Sequence, residues 1–191
     1  MALHTNSNLV KAQSSPLSTQ PKYALQGGIH RRTESAILEG TKSLIALHGI
    51  SNISMIDIAD ASEVSRATLY NHYRDKNAVL EALVTAEVER LVNLAQRAGT
   101  PADALETLSK ELSADAALAA MRIHDAQLLI AVMSHAENPL YVVLATCIYE
   151  ATKSEAGTGL AMRWLLGQVT QPITPKQSRE QAELLVERTL F

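Results

Sequence analysis

The chain has one cysteine, Cys147, in 191 residues, so no internal disulfide can hold it together. The thiol sits in an apolar run and reads as a small buried side chain, not a redox sensor. Aromatics make up only 4% of residues. Clusters of β-branched and aromatic side chains, the material of strands, are few, which predicts an all-α protein. Long hydrophobic runs are also missing. The apolar run that holds Cys147, Tyr141 to Tyr149, covers nine residues, against the roughly 20 that span a bilayer. The N-terminus lacks the apolar core of a signal peptide, so the expected location is the cytoplasm and no membrane is expected as a partner. A strong excess of charge is absent too. The net charge of -3 argues against a general nucleic-acid coat. No glycine-rich phosphate loop and no nucleophile constellation is present, so neither an enzyme nor a cofactor is expected.

What the chain does have is an ordered succession of helix signals. Residues 1–29 are rich in Ser, Gln, Thr and Asn and read as a disordered tail. A first helix is expected from about Arg31 to His48, with Ile37, Leu44, Ile45 and His48 on one face and Leu38 and Leu47 beside it. Gly49 suits the left-handed residue that ends it. Ser54 reads as the N-cap of a second helix over about 55–62, with Asp57 an acid at its positive end. Ser62-Glu63-Val64 forms a turn. Ser65 caps a third helix to about His72, and Asp75 caps a fourth from Lys76 to about Arg97. The fourth should pack through Val79, Leu80, Leu83, Val84, Val88 and Leu91. Ala98-Gly-Thr-Pro101 breaks it. Further helices are expected near 101–112, 114–122, 124–136, 138–154, 157–170 and 175–189, with breaks at Ser113, Asn138-Pro139, 157–159 and 171–175. A head over 30–85, with its motif at about 54–73, thus precedes a helical body over 86–191.

Two short helices around a tight turn are the layout that puts the second helix into the major groove of DNA. Val64, Leu69 and Tyr73 are spaced to face inward. The other face of the third helix carries polar groups. Arg66 has a planar fork that fits the O6 and N7 of a guanine, and Ala67 fits a thymine methyl. Asn71 reaches either a base edge or water. Ser65, Thr68, Tyr70 and His72 are donors suited to phosphate oxygens. Lys76 is a cation at the first turn of a helix, where it opposes the macrodipole by a few tenths of a kcal/mol or more. That placement makes sense if an anion such as a DNA phosphate sits there. Arg31 and Arg32 are placed to grip an adjacent backbone, to reach the minor groove from a flexible arm, or merely to start the helix in water. From Ile29 to Asn77 there are six Lys/Arg and six Asp/Glu, so any DNA contact comes from local arrangement, not from bulk charge.

Ile37-Leu38, Gly49, Ser54, Ile58-Ala59, Val64-Ser65, Thr68-Leu69-Tyr70, His72-Tyr73, Lys76 and Leu80 resemble the DNA-binding domain of TetR-family transcriptional regulators. The resemblance covers about 50 residues, from Arg32 to Leu83. It implies phosphate contacts at Thr68, Tyr70, His72 and Lys76 and base reading at Arg66 and Ala67. It also implies that Ser54 and Met55 approach the DNA. It further implies a homodimer whose C-terminal domain binds a small-molecule effector, and a repressor released from a double-stranded DNA operator. Glu63 departs from the family, which usually has glycine in this turn; a non-glycine residue there costs roughly 1 kcal/mol.

In the second half the helix near 138–154 is apolar almost all round, and the one near 157–170 carries Leu160, Met162, Trp164 and Leu165. A helix apolar on all sides is buried on all sides. Its cover is either the rest of the chain or a second copy. Met121, Met133 and Trp164, with His124, fit an effector pocket or plain core. His124, Asp125 and His135 lack the spacing of a metal site, and no third ligand is indicated. The alternative to a DNA-binding regulator is a ligand-binding or structural helical dimer without specific DNA binding.

Overall fold

The computed structural model describes residues 22–134 and 139–189. Among them are ten helices and no strand: α1 (Lys22–His48), α2 (Met55–Ala61), α3 (Arg66–His72), α4 (Lys76–Gln96), α5 (Pro101–Ala114), α6 (Ala116–His124), α7 (Ala126–Met133), α8 (Pro139–Thr152), α9 (Glu155–Thr170) and α10 (Pro175–Thr189). The all-α expectation is met. No single described helix is long and apolar enough to cross a membrane.

The caps explain where helices start. Ser54 and Asp57 form a reciprocal capping box at α2. The Ser65 side chain accepts from the Thr68 amide, Asp75 from Ala78, Thr100 from Asp103 and Asp115 from Leu118. Each satisfies an N–H that the helix itself leaves unpaired. Gly49 ends α1 at φ 76, the left-handed conformation the sequence predicts there. α8 ends differently, on Lys153 at φ 51, an unfavourable position for a side-chain-bearing residue.

Three apolar clusters hold the chain together. Ile37, Ile58, Ala59, Leu69, Tyr73 and Val79 form the centre of α1–α4. Leu91, Ala95, Leu105, Leu108, Ile148, Ala161, Leu165 and Ala182 form the centre of the second half. A third cluster, Ile45, Ile53, Leu83 and Ala117, joins α1, the loop after it, α4 and α6. α1 and α2 approach closely at Gly40, where an added Cβ would lie 2.5 Å from Ser62 Oγ.

Several sequence expectations are corrected. α1 begins at Lys22, not Arg31, so 22–29 belong to a helix and not to a tail. No proline interrupts the chain from Lys22 to His48, and two glycines do not suffice to stop a helix anchored by the turns that follow. Residues 1–21 lie outside the described residues. Leu47 is 69% exposed and His48 is exposed, because the α1 face is narrower than the apolar residues on it. Val84 is likewise exposed on α4. Gly157 and Gly159 lie inside α9, whose cap is Ser154, and Ser113 lies inside α5. α8 is not buried on all sides: Val142 is 67% exposed, with Val143 and Tyr149 also outward. The reading of α8 as a fully internal helix is therefore wrong.

Candidate nucleic-acid interface

α3 sorts its residues by face, as its sequence spacing predicts. Leu69 is fully buried and Tyr73, just past the helix, is nearly so. Ser65, Arg66, Ala67, Tyr70 and Asn71 are exposed, and Thr68 and His72 are half-buried. Tyr70 is an exposed aromatic on an otherwise polar surface. The Ser65 and Thr68 hydroxyls lie 2.8 Å apart and bond to one another, so each keeps lone pairs but their shared proton is engaged. Arg31, Arg32, Ser54 and Asn77 are exposed, and Met55 is half-buried. Arg31 Nε donates to the Gly27 carbonyl at 3.3 Å.

The turn between α2 and α3 carries Glu63 at φ 54. Its amide still donates to Asp60 O at 3.2 Å, and Val64 N to Ala59 O at 3.1 Å. The turn survives without glycine, at a strain of roughly 1 kcal/mol. Glu63→Gly should raise stability by about that amount and, by removing an exposed acid, strengthen DNA binding. Urea unfolding and a duplex titration check the two effects, and a loss of stability would refute the strain.

His72 has a partner that the sequence did not reveal. Its ring stacks on His30 of α1, with centroids 4.1 Å apart and an interplanar angle of 16°. Burial, and then the neighbouring His30, hold the His72 pKa below the ordinary 6.5, with Glu34 pulling it back. The sign follows from linkage. The folded state prefers neutral His72, so its contribution is present above pH 6.5 and is lost as pH falls through the lowered value. Proton NMR of the His72 ring should show a midpoint below 6.5, moving up in His30→Ala; an unmoved midpoint would refute the stack. Tyr73 lies next to this pair. Burial and the Glu34 carboxylate push its pKa up to about 12, and its hydroxyl donates to Glu34 Oε1 at 3.3 Å.

Lys76 departs most from the simple expectation. Its Nζ donates to Ile50 O at 3.1 Å and to Ile53 O at 2.9 Å. A lysine ammonium has three donors, so one is left for an anion. The cation at the start of α4 is thus explained in part by the carbonyls of the loop between α1 and α2. The amides of that same loop are held from the other side. Asp125, between α6 and α7, accepts from Ile50 N at 2.6 Å, from Ser51 N at 3.0 Å and from the Ser51 hydroxyl. Burial would raise the Asp125 pKa, but the Ser51 hydroxyl and the two amides more than offset it and hold the carboxyl below its usual range.

The proposed pocket residues are dispersed in character. Met121 packs against the cluster of Ile45, Ile53, Leu83 and Ala117. His124 is exposed. Met133 is half-buried, and its carbonyl accepts from the Tyr141 hydroxyl at 3.1 Å. Trp164 Nε1 donates to Gln181 Oε1 at 2.5 Å in the second half. His135 lies outside the described residues.

Comparison with known proteins agrees with this geometry. Residues 37–83 match the family described as bacterial regulatory proteins, tetR family. An HTH-type transcriptional repressor of Mycobacterium tuberculosis is 32% identical over 63 residues, 33% of this chain and 34% of that protein. The match therefore spans about a third of the length of that curated relative. Among solved structures, the TetR-family repressor AlkX from a Dietzia strain, implicated in biodegradation of n-alkanes, has a TM-score of 0.58 at 18% identity, covering 82% of this chain and 95% of that one. The fatty acid degradation regulator FadR from Bacillus halodurans also has a TM-score of 0.58, at 17% identity, covering 81% and 94%. At such identities the likeness shows the fold. Taken with the matched head, the caps and the outward face of α3, it shows that residues 37–83 form a head similar to that of the tetR-family regulatory proteins, on a helical fold similar to those structures.

Proposed function

We propose that the chain is a transcriptional repressor that binds a palindromic DNA operator as a homodimer and leaves it when a small, apolar effector binds the helical body. One observation carries the DNA-binding part: α3 turns Arg66, Ala67, Tyr70 and Asn71 outward while Leu69 beneath them is fully buried. Arg66 and Ala67 read bases, with Asn71 at a further base edge. Ser65, Thr68, Tyr70, His72 and the remaining donor of Lys76 take phosphates. Arg31, Arg32, Ser54 and Met55 flank them.

The homodimer rests on the exposed apolar side of α8 and α9. Val142, Val143, Tyr149 and Leu160 face outward, and Val142 and Tyr149 line an open hollow of about 390 Å³ together with Ala145, Thr146, Glu155 and Thr158. A monomer gains nothing from such a surface, whereas a two-fold copy covers it. Two heads then read half-sites about 34–36 Å apart, or a multiple of that. For the effector, Met121, His124 and Met133 lie on α6 and α7, beside Ile123, Ile130 and Val132, which are exposed apolar residues of the same helices.

A second reading, a helical dimer that no longer binds DNA specifically, is favoured by exposed Glu63 and by the equal count of acids and bases from Ile29 to Asn77. Titration of duplex binding against salt separates the two. The repressor reading expects log affinity to fall linearly with log salt, by about 0.9 per phosphate contact, with two chains per duplex by sedimentation. Arg66→Ala should relax preference at one base pair per half-site at about 1–3 kcal/mol. No salt-dependent binding to any duplex would overturn the DNA-binding reading; unchanged preference in Arg66→Ala would overturn the base-reading assignment.

A further inference from the structure

We infer that Asp125 is a positioning residue for DNA binding: from the corner between α6 and α7 it fixes the loop after α1, and through it Lys76 and the start of α2. The inference rests on the DNA-binding reading above and adds to it a residue that no DNA contact would identify.

The geometry begins with a diverted cap. Asp125 stands at the N-cap of α7, yet its side chain makes no capping bond there. An aspartate at that position ordinarily accepts from an amide of the first turn, and forgoing it destabilises the helix. Asp125 instead reaches 74 and 75 residues back along the sequence to Ser51 and Ile50. It is only 4% exposed, and a carboxylate accepting several N–H and O–H bonds is strongly held.

The loop it grips is fixed from both sides. Asp125 takes the amides of Ile50 and Ser51, and Lys76 Nζ takes the carbonyls of Ile50 and Ile53. Ile53, itself 4% exposed, anchors the loop in the cluster that includes Ala117 of α6. Ser54, the cap of α2, follows it directly. Gly49 completes the fit: an added Cβ there would lie 2.5 Å from Asp125 Oδ2 and 2.7 Å from His124 Cβ. A shift of Asp125 by the width of one hydrogen bond therefore frees the loop, and Lys76 loses the frame that aims its last donor.

The test uses the full chain and a duplex that the unmutated protein selects from a random-sequence pool. Affinities are compared well below each variant's melting temperature, so that unfolding does not imitate weak binding. Asp125→Ala should weaken binding roughly tenfold, and Asp125→Asn, which keeps one acceptor, should fall between. Asp125→Ala should add little to the loss already caused by Lys76→Ala, because both act through one loop. Amide exchange at Ile50 and Ser51 should quicken in Asp125→Ala without DNA. A residue that only stabilises would lower the melting temperature and leave these affinities alone. Full affinity in a folded Asp125→Ala with fast Ile50 and Ser51 exchange overturns the inference, as does strict additivity with Lys76→Ala. If Asp125→Ala does not fold, Ser51→Ala removes a single hydroxyl bond at an exposed residue and should weaken binding a few-fold; unchanged binding overturns the inference. Should the unmutated chain select no duplex at all, the DNA-binding reading falls and this role with it, an outcome distinct from a variant that binds as well as its parent.

Discussion

Leu69→Ala should remove about 2–5 kcal/mol of stability, a large part of the roughly 5–15 kcal/mol that holds a typical domain folded. Leu69 is fully buried in α3 and packs among Ile37, Ile58, Ala59, Tyr73 and Val79. These come from α1, α2, α4 and the end of α3 itself, so the deleted methyls leave a hole at the point where every helix of the head meets. α3 has seven residues, too few to persist as a helix unless packing holds it. The same change should therefore abolish duplex binding as well as lower the urea midpoint. Tyr70→Ala, one position on and 55% exposed, should alter stability by no more than about 0.5 kcal/mol while weakening binding. A loss below about 1 kcal/mol in Leu69→Ala would mean that α3 is held by something other than this core.

Gly49→Ala should cost about 3 kcal/mol or more, far above the usual effect of adding one methyl. Two terms combine. The residue sits at φ 76, where an L side chain costs roughly 1–2 kcal/mol. The new Cβ also cannot coexist with Asp125 Oδ2 at 2.5 Å, so the carboxylate must move and release the Ile50 and Ser51 amides, each hydrogen bond to a charged group contributing about 1.5–3 kcal/mol. Gly167→Ala is the internal control. Gly167 lies in α9 with nothing near its would-be Cβ, and alanine there should stabilise by up to about 1 kcal/mol. Chemical denaturation of the two variants should move the midpoint in opposite directions. Equal and small shifts would show that the Gly49 turn tolerates a side chain.

The head was legible because its signals are local. A capping serine or aspartate lies within three residues of the amide it satisfies, and the buried pairs Leu69 and Tyr73, then Val79 and Leu83, are each four residues apart. The turn at Glu63 was legible too, since the αL requirement follows from the two helices around it. What escaped the sequence is long-range. Nothing near Lys76 announces the carbonyls of Ile50 and Ile53, and nothing near Asp125 announces Ser51. The sequence puts Asp125 inside a helix near 124–136, and only the fold shows it at the N-cap of α7 with its side chain turned elsewhere. The His30–His72 stack was hidden for a second reason, the expectation that α1 starts only at Arg31. Composition left the cover of α8 open, because apolar residues all round do not say which side is packed.

The cluster of Ile45, Ile53, Leu83 and Ala117 bears on how such proteins can be recombined. Lys42 reinforces it, bridging Glu87 of α4 at 2.7 Å and Asp115 before α6 at 2.9 Å. The break at 98–101, between α4 and α5, is the natural place to graft this head onto a foreign body. A graft made there would leave behind Ala117, Met121, Asp115 and Asp125, the surface against which α1 and its loop are seated. A working chimera would have to carry α6 through Asp125 along with the head, or rebuild those four positions in the recipient.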